Sequence, residues 1–154
     1  MKILTLEDRG SVSFYMSEAL SELGHIVMEA DTIGEAEEMW NAGEIDCLIV
    51  DLNMSPSGLK PEEQALTEGG VLSGWIWLKF YVYKTCKTLR HISSVEMKRR
   101  TIIYSEYLDQ LRMKVPSKEL RGIILIPKRG GEGAAELIRQ VRAVASMIKK
   151  EIGK

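Results

Sequence analysis

The sequence predicts an α/β chain built on a five-stranded parallel sheet, and three observations carry that prediction. Short apolar runs alternate along the chain with longer stretches of helical spacing. The run Cys47-Leu48-Ile49-Val50 is apolar at every position, as expected of a strand covered on both faces. The first, third, fourth and fifth runs are followed closely by Glu7, Asp51, Ser105 and Lys128, residues with chemistry to offer at a strand end. Strand–helix alternation demands crossover connections, and right-handed crossovers give a parallel sheet with helices on both faces. At 154 residues the chain fits a single domain, since domains run to roughly 100–200 residues.

The elements follow in order. Ile3 to Leu6 is the first short run and reads as a buried strand. Val12, Met16, Leu20 and Leu23 then recur at helical spacing over residues 10–23, and Gly24 suits the helix end because it tolerates positive φ. His25 to Met28 is the second strand. Thr32 and Glu35 match a capping box that opens a helix carrying Ala36, Met39 and Trp40 on one side and stopping near Gly43. Cys47 to Val50 is the third strand. Pro56, Gly58, Pro61, Gly69 and Gly70 mark residues 55–70 as an inserted loop with one helical turn at Glu62 to Leu66. It reads as a tolerated surface insertion, or else as a lid or partner-binding excursion.

Val71 to about Leu89 is expected to be the longest helix, burying Trp75, Leu78, Val82 and Cys86. Trp75 and Trp77 are two apart and cannot share a helix face, so one is expected inside and Trp77 at a rim or interface. Thr101 to Tyr104 is the fourth strand, and a short helix follows at Tyr107 to Met113 before Pro116. Ile123 to Ile126 is the fifth strand. Ala134, Leu137, Ile138, Val141, Ala145 and Ile148 define a final amphipathic helix.

Composition narrows the function classes. The net charge is −1, which argues against nucleic-acid binding through bulk positive charge. Two cysteines make no disulfide framework, so a reducing cytoplasm fits best. Glu7 and Asp8 interrupt the N-terminal apolar stretch too early for a secretory signal, and the run Gly69 to Leu78 is about half a membrane span. Six basic residues between Lys84 and Arg100, against the single acid Glu96, read as a solvated helix face and its following loop. His25 and His91 have no metal-ligand partners at useful spacing.

In doubly wound sheets ligands bind beyond the carboxyl ends of the strands. With strand order 2-1-3-4-5, Glu7, Asp8, Asp51, Ser105 and Lys128 converge on one pocket. Two carboxylates about 5 Å apart repel by roughly 3 kcal/mol at an effective dielectric of 20. Such a group either raises a pKa or recruits a cation, and magnesium is the natural one. Asp51 then stays ionised and can attack a phosphoryl donor. Lys128 can neutralise the phosphoryl group and Ser105 can donate to one of its oxygens. Taken singly, each residue has a plainer reading: Glu7-Asp8 as helix-dipole partners, Asp51 as a turn residue, Lys128 as a solvated charge. A magnesium-dependent hydrolase with Glu106 as acid/base is a weaker alternative.

Ile3-Leu4-Thr5-Leu6-Glu7-Asp8 and Asp46-Cys47-Leu48-Ile49-Val50-Asp51-Leu52-Asn53-Met54 resemble response-regulator receiver domains, as do Ala30, Gly34, Glu35 and Ala36 at the second helix. The resemblance implies a flavodoxin-like fold with Asp51 as phosphoacceptor, phosphorylated by a histidine kinase or phosphotransfer protein. It implies magnesium held by Glu7, Asp8, Asp51 and the Asn53 carbonyl, with Ser105 as the switching hydroxyl and Lys128 as the conserved-type lysine. With the chain length and cysteine usage, the expectation is a stand-alone cytoplasmic signalling domain rather than an enzyme; the resemblance implies output to a protein target through the fourth helix, fifth strand and fifth helix, a face that could also pair two copies. Three departures stand out. An insertion separates Met54 from Gly74; Pro127-Lys128 reverses the family's Lys-Pro; and Leu125 replaces an aromatic residue. If Pro127 filled the lysine position, the site would lack its cation. A phosphorylation-independent binding module on the same fold is therefore the competing expectation.

Overall fold

The computed structural model describes residues 1–8 and 11–153, and of residues 11–14 the backbone alone. Val12, expected on the buried side of the first helix, has a side chain outside the described residues. The strands are β1 (Lys2–Leu6), β2 (Ile26–Ala30), β3 (Cys47–Val50), β4 (Thr101–Ser105) and β5 (Ile124–Pro127). They form one parallel sheet in the order β2-β1-β3-β4-β5. The flavodoxin-like topology expected from the alternation is the one observed.

Helices cover both faces. On one lie α1 (Ser11–Glu22) and α8 (Gly130–Ile152), whose Leu20, Leu137, Val141, Val144 and Ile148 close over Ile3, Cys47, Ile49 and Ile102. On the other lie α2 (Ile33–Ala42), α3 (Pro61–Gln64), α4 (Ser73–Trp77), α5 (Tyr83–Arg90), α6 (Ser94–Arg99) and α7 (Leu108–Lys114). Leu4, Leu6, Leu48, Val50 and Ile103 point toward this second layer. Strand alternation sorts the two sets, because successive side chains face opposite sides of a sheet.

Local signals in the sequence place several ends. Gly24 sits at φ +90 and lets the chain turn from α1 into β2. Thr32 Oγ1 accepts the Glu35 N–H at 3.1 Å and opens α2. Ser93 caps α6 in the same way through Glu96 N–H, a helix that the run of basic residues concealed. Those residues are not simply a solvated face: Arg100 pairs with Glu96 and Glu151, Arg99 with Glu96, and Lys98 donates to the Glu119 carbonyl.

Three expectations need correction. The longest helix is α8, with 23 residues, and not the stretch after the insertion. That stretch is interrupted by a π-helical turn, Leu78–Val82, between α4 and α5. Trp75 and Trp77 are both buried, at 3% and 0% exposure. A helix can bury opposite faces when it is covered on both, and α4 is clasped by the sheet, by α2 and by the insertion. The Trp77 indole N–H donates to Glu37 Oε2 at 2.7 Å, and Trp75 tilts against Tyr83.

The insertion, finally, is not a loop laid on the surface. Met54, Leu59 and Leu72 join the core of the second face, and Thr67 is fully buried. Several of its polar groups find partners within it or in the helical stretch that follows. Thr67 Oγ1 donates to the Gln64 carbonyl and accepts the Gly70 N–H, while Glu63 Oε1 accepts both the Lys60 N–H and the Tyr81 hydroxyl. No helix among the described residues is long and apolar enough to cross a membrane.

Candidate functional site

Strand register assembles the site. Leu6 pairs with Val50, and Val50 with Ile103. The next row at the carboxyl edge therefore holds Glu7, Asp51 and Tyr104, all on the face covered by α1 and α8. Lys128 leaves the sheet two residues past Ile126, which lies on that same face.

The Lys128 ammonium bridges the row. Its Nζ lies 2.5 Å from Glu7 Oε1 and 3.2 Å from Asp51 Oδ2. The three side chains are only 17%, 17% and 14% exposed, so solvent screens them weakly. Asp51 Oδ1 accepts the Leu52 N–H at 2.7 Å, so both oxygens of this carboxylate are held. Burial works against charge on Lys128, but the hydrogen bond to Glu7 and the charge of Asp51 outweigh it and raise its pKa above the ordinary lysine value.

Glu7, Asp51 and Lys128 thus come together as expected, and Pro127 does not take the lysine's place. Pro127 pairs beside Ser105 at the strand end, and Lys128 N–H donates to the Ser105 carbonyl at 3.1 Å. The other predicted residues stand further out. Asp8 and Asn53 are exposed next to Glu7 and Leu52. Ser105 is fully buried and lies one step beyond the row, and its Oγ accepts the Tyr107 N–H at 3.2 Å. Glu106 is exposed, on a cleft of about 190 Å³ shared with Ser105, Arg112, Lys128 and Arg129.

No third His, Cys, Asp or Glu completes a metal-holding group with Glu7 and Asp51 among the described residues. Two carboxylate oxygens nevertheless face one cationic centre, the Lys128 ammonium. That donor set suits a hard divalent ion, which takes one or two carboxylates and fills the rest of its shell with water or phosphate oxygens.

Of two further residues, one was noted in the sequence only as the end of the insertion and the other was missed. Gly74 closes α4 onto the end of β3: a Cβ there would lie 2.0 Å from the Asp51 carbonyl oxygen. Tyr104 is the second, buried at 5% exposure with Lys128 Nζ 5.5 Å from its ring centre. Leu125, at the place where an aromatic was expected, is half-buried against the other face's core. The signal for Tyr104 was its position directly before Ser105, which registers it beside Asp51. Burial raises the Tyr104 phenol pKa, partly offset by Lys128.

Neither a family model nor a curated protein matches the chain. Solved structures do. The receiver domain of a Francisella response regulator superposes with a TM-score of 0.64 at 18% identity, covering 96% of this chain and 98% of that one. Response regulator TrrA from Thermotoga maritima, in complex with Mg(2+)-BeF, gives 0.60 at 18% identity over 93% and 97%. The non-phosphorylated HemR receiver domain from Leptospira biflexa gives 0.58 at 18% identity over 93% and 92%. At these identities the likeness establishes the fold: this chain has the flavodoxin-like fold of receiver domains.

Proposed function

We propose that this chain is a response-regulator receiver module that accepts a phosphoryl group on Asp51 and signals by protein contact. The observation that carries the reading is the partly buried ion-paired row: Asp51 at the end of β3, flanked by Glu7 and bridged by Lys128. The fold of its structural neighbours supports it, as does the Mg(2+)-BeF complex of one of them.

The chemistry follows from the residues. The Asp51 carboxylate attacks phosphorus; the new O–P bond forms as the bond to the donor's leaving group breaks, and that group departs with the electron pair. The Leu52 N–H orients the carboxylate through Oδ1. Lys128 moves its charge from Asp51 toward the incoming phosphoryl oxygens as a point cation. Glu7 and Asp51, with Asp8 and the Asn53 carbonyl at the rim, would hold magnesium. The ion, when bound, supplies neutralisation of the phosphoryl charge. Ser105 serves as the switching hydroxyl only after its side chain leaves the Tyr107 amide. The donor is a histidine kinase or phosphotransfer protein, output runs to a protein target through α7, β5 and α8, and two copies can pair through the same face. The module signals in the cytoplasm and turns over no separate substrate.

A second reading rests on one distance. Lys128 sits closer to Glu7 than to Asp51 and fills the cation position itself, as a phosphorylation-independent binding module would allow. Intact mass after incubation with magnesium and a small acyl phosphate separates the two. A gain of one phosphoryl group in the wild type, absent in Asp51→Asn, is expected. No gain while magnesium still binds would leave the binding module.

A further inference from the structure

Lys128 is the hinge of the site, and its reach is longer than its neighbours suggest. It starts beyond β5 and must pass β4 before meeting Asp51 on β3 and Glu7 on β1. The residue it passes is Tyr104. The ring is nearly inaccessible to solvent and lies in the row beside Asp51, within cation–π range of Nζ at 5.5 Å. The edge of the ring is held too. A Cβ on Gly133, in the first turns of α8, would lie 3.4 Å from both Tyr104 Cε2 and Oη and 2.8 Å from the Pro127 carbonyl. Packed by its edge on the helix backbone, the ring is fixed beneath the lysine's course.

We infer that Tyr104 is a positioning residue: its ring face holds the Lys128 ammonium over Asp51, and its packing on Gly133 ties that position to the start of α8. The contact uses the ring face rather than the phenol oxygen, so phenylalanine should substitute and an aliphatic residue should not. Its effect on phosphoryl transfer rests on the Asp51 reading; its effect on the lysine does not.

Two measurements on the full chain test it. In a proton–carbon correlation spectrum, the Lys128 ε-methylene, identified by its loss in Lys128→Met, is expected to be shifted upfield by the ring. The shift should persist in Tyr104→Phe and vanish in Tyr104→Leu. Initial rates of mass gain with an acyl phosphate are the second. Tyr104→Leu should be about tenfold slower at saturating donor with half-saturation unchanged, and Tyr104→Phe within about twofold of wild type. A lysine shift that is the same in all three proteins, or a leucine variant that phosphorylates like the wild type, would overturn the inference. If the wild type itself gains no phosphoryl group, the Asp51 reading fails and the lysine shift alone decides the role of Tyr104. Should the leucine variant not fold, Tyr104→Met, nearer in volume, carries the same comparison.

Discussion

The two faces of the sheet solve different problems. The face under α1 and α8 is plain: two long helices and a core of aliphatic side chains, with Glu7, Asp51, Tyr104 and Lys128 at its carboxyl edge. The face under α2, α4, α5 and α7 is elaborate: an insertion folded into the core, a π-helical turn, and three buried tryptophans. The charged side chains sit on the plain face, and the Ser105 hydroxyl is engaged by the Tyr107 amide instead. The division follows from alternation, since a one-residue step along a strand exchanges faces. Change can accumulate on one side of such a sheet without altering the row that holds the charges.

The sharpest way to break this comparison is to cut into the elaborate face. Trp77→Ala should cost about 4 kcal/mol in denaturant unfolding, the range for a fully buried aromatic. A cost below about 1 kcal/mol would mean that Trp77 sits at a rim, as sequence spacing suggested, and that this face is no true core.

A smaller effect tests how the insertion is held. The Tyr81 hydroxyl donates to Glu63 Oε1 at 2.5 Å, and Tyr81→Phe should lose about 1 kcal/mol. The same bond fixes the pH window. Burial and the neighbouring Glu63 carboxylate push the Tyr81 phenol up to about 12. A pKa raised on folding stabilises fully below the ordinary tyrosine value of about 10 and fades as pH climbs through the folded value. The wild type should therefore lose this increment between about pH 10 and 12, and Tyr81→Phe should not. Parallel pH profiles of the urea midpoint for the two proteins would show that Tyr81 does not anchor the insertion.

The least perturbing test reads both faces at once. Cys47 lies under α1 and α8, and Cys86 belongs to the core of the other face; both are free and fully buried. Burial pushes the Cys47 thiol up to about 12 and raises that of Cys86. Neither should react with a chromogenic disulfide reagent in the native protein, and both should in denaturant. Selective labelling of Cys86 in the native state would identify the elaborate face as the looser one.

Legibility followed the same division. Glu7, Asp51 and Lys128 could be found from sequence because each follows a short apolar run, and parallel strands bring such positions to one edge. Thr32 and Gly24 gave their turns away by side-chain chemistry that acts within a few residues. The elaborate face resisted for the opposite reason. Helical spacing places Trp75 and Trp77 on different sides of one helix but says nothing of a second cover, so a wholly buried α4 was out of reach. Residues 55–70 look like loop because of their glycines and prolines, yet Thr67 is fully buried and Leu59 packs into a core of residues distant in sequence.

The sequence by itself determined the strand–helix alternation, the sheet order expected of it, and the charged residues at the strand ends. These depend on local periodicity and short-range capping. Only the tertiary structure decided that Lys128 bridges Glu7 and Asp51, that the Ser105 hydroxyl takes the Tyr107 amide, that Tyr104 lies under the lysine, and that the insertion belongs to the core. Each of those depends on register between strands and on which surfaces meet, and both are set by packing between residues distant in sequence.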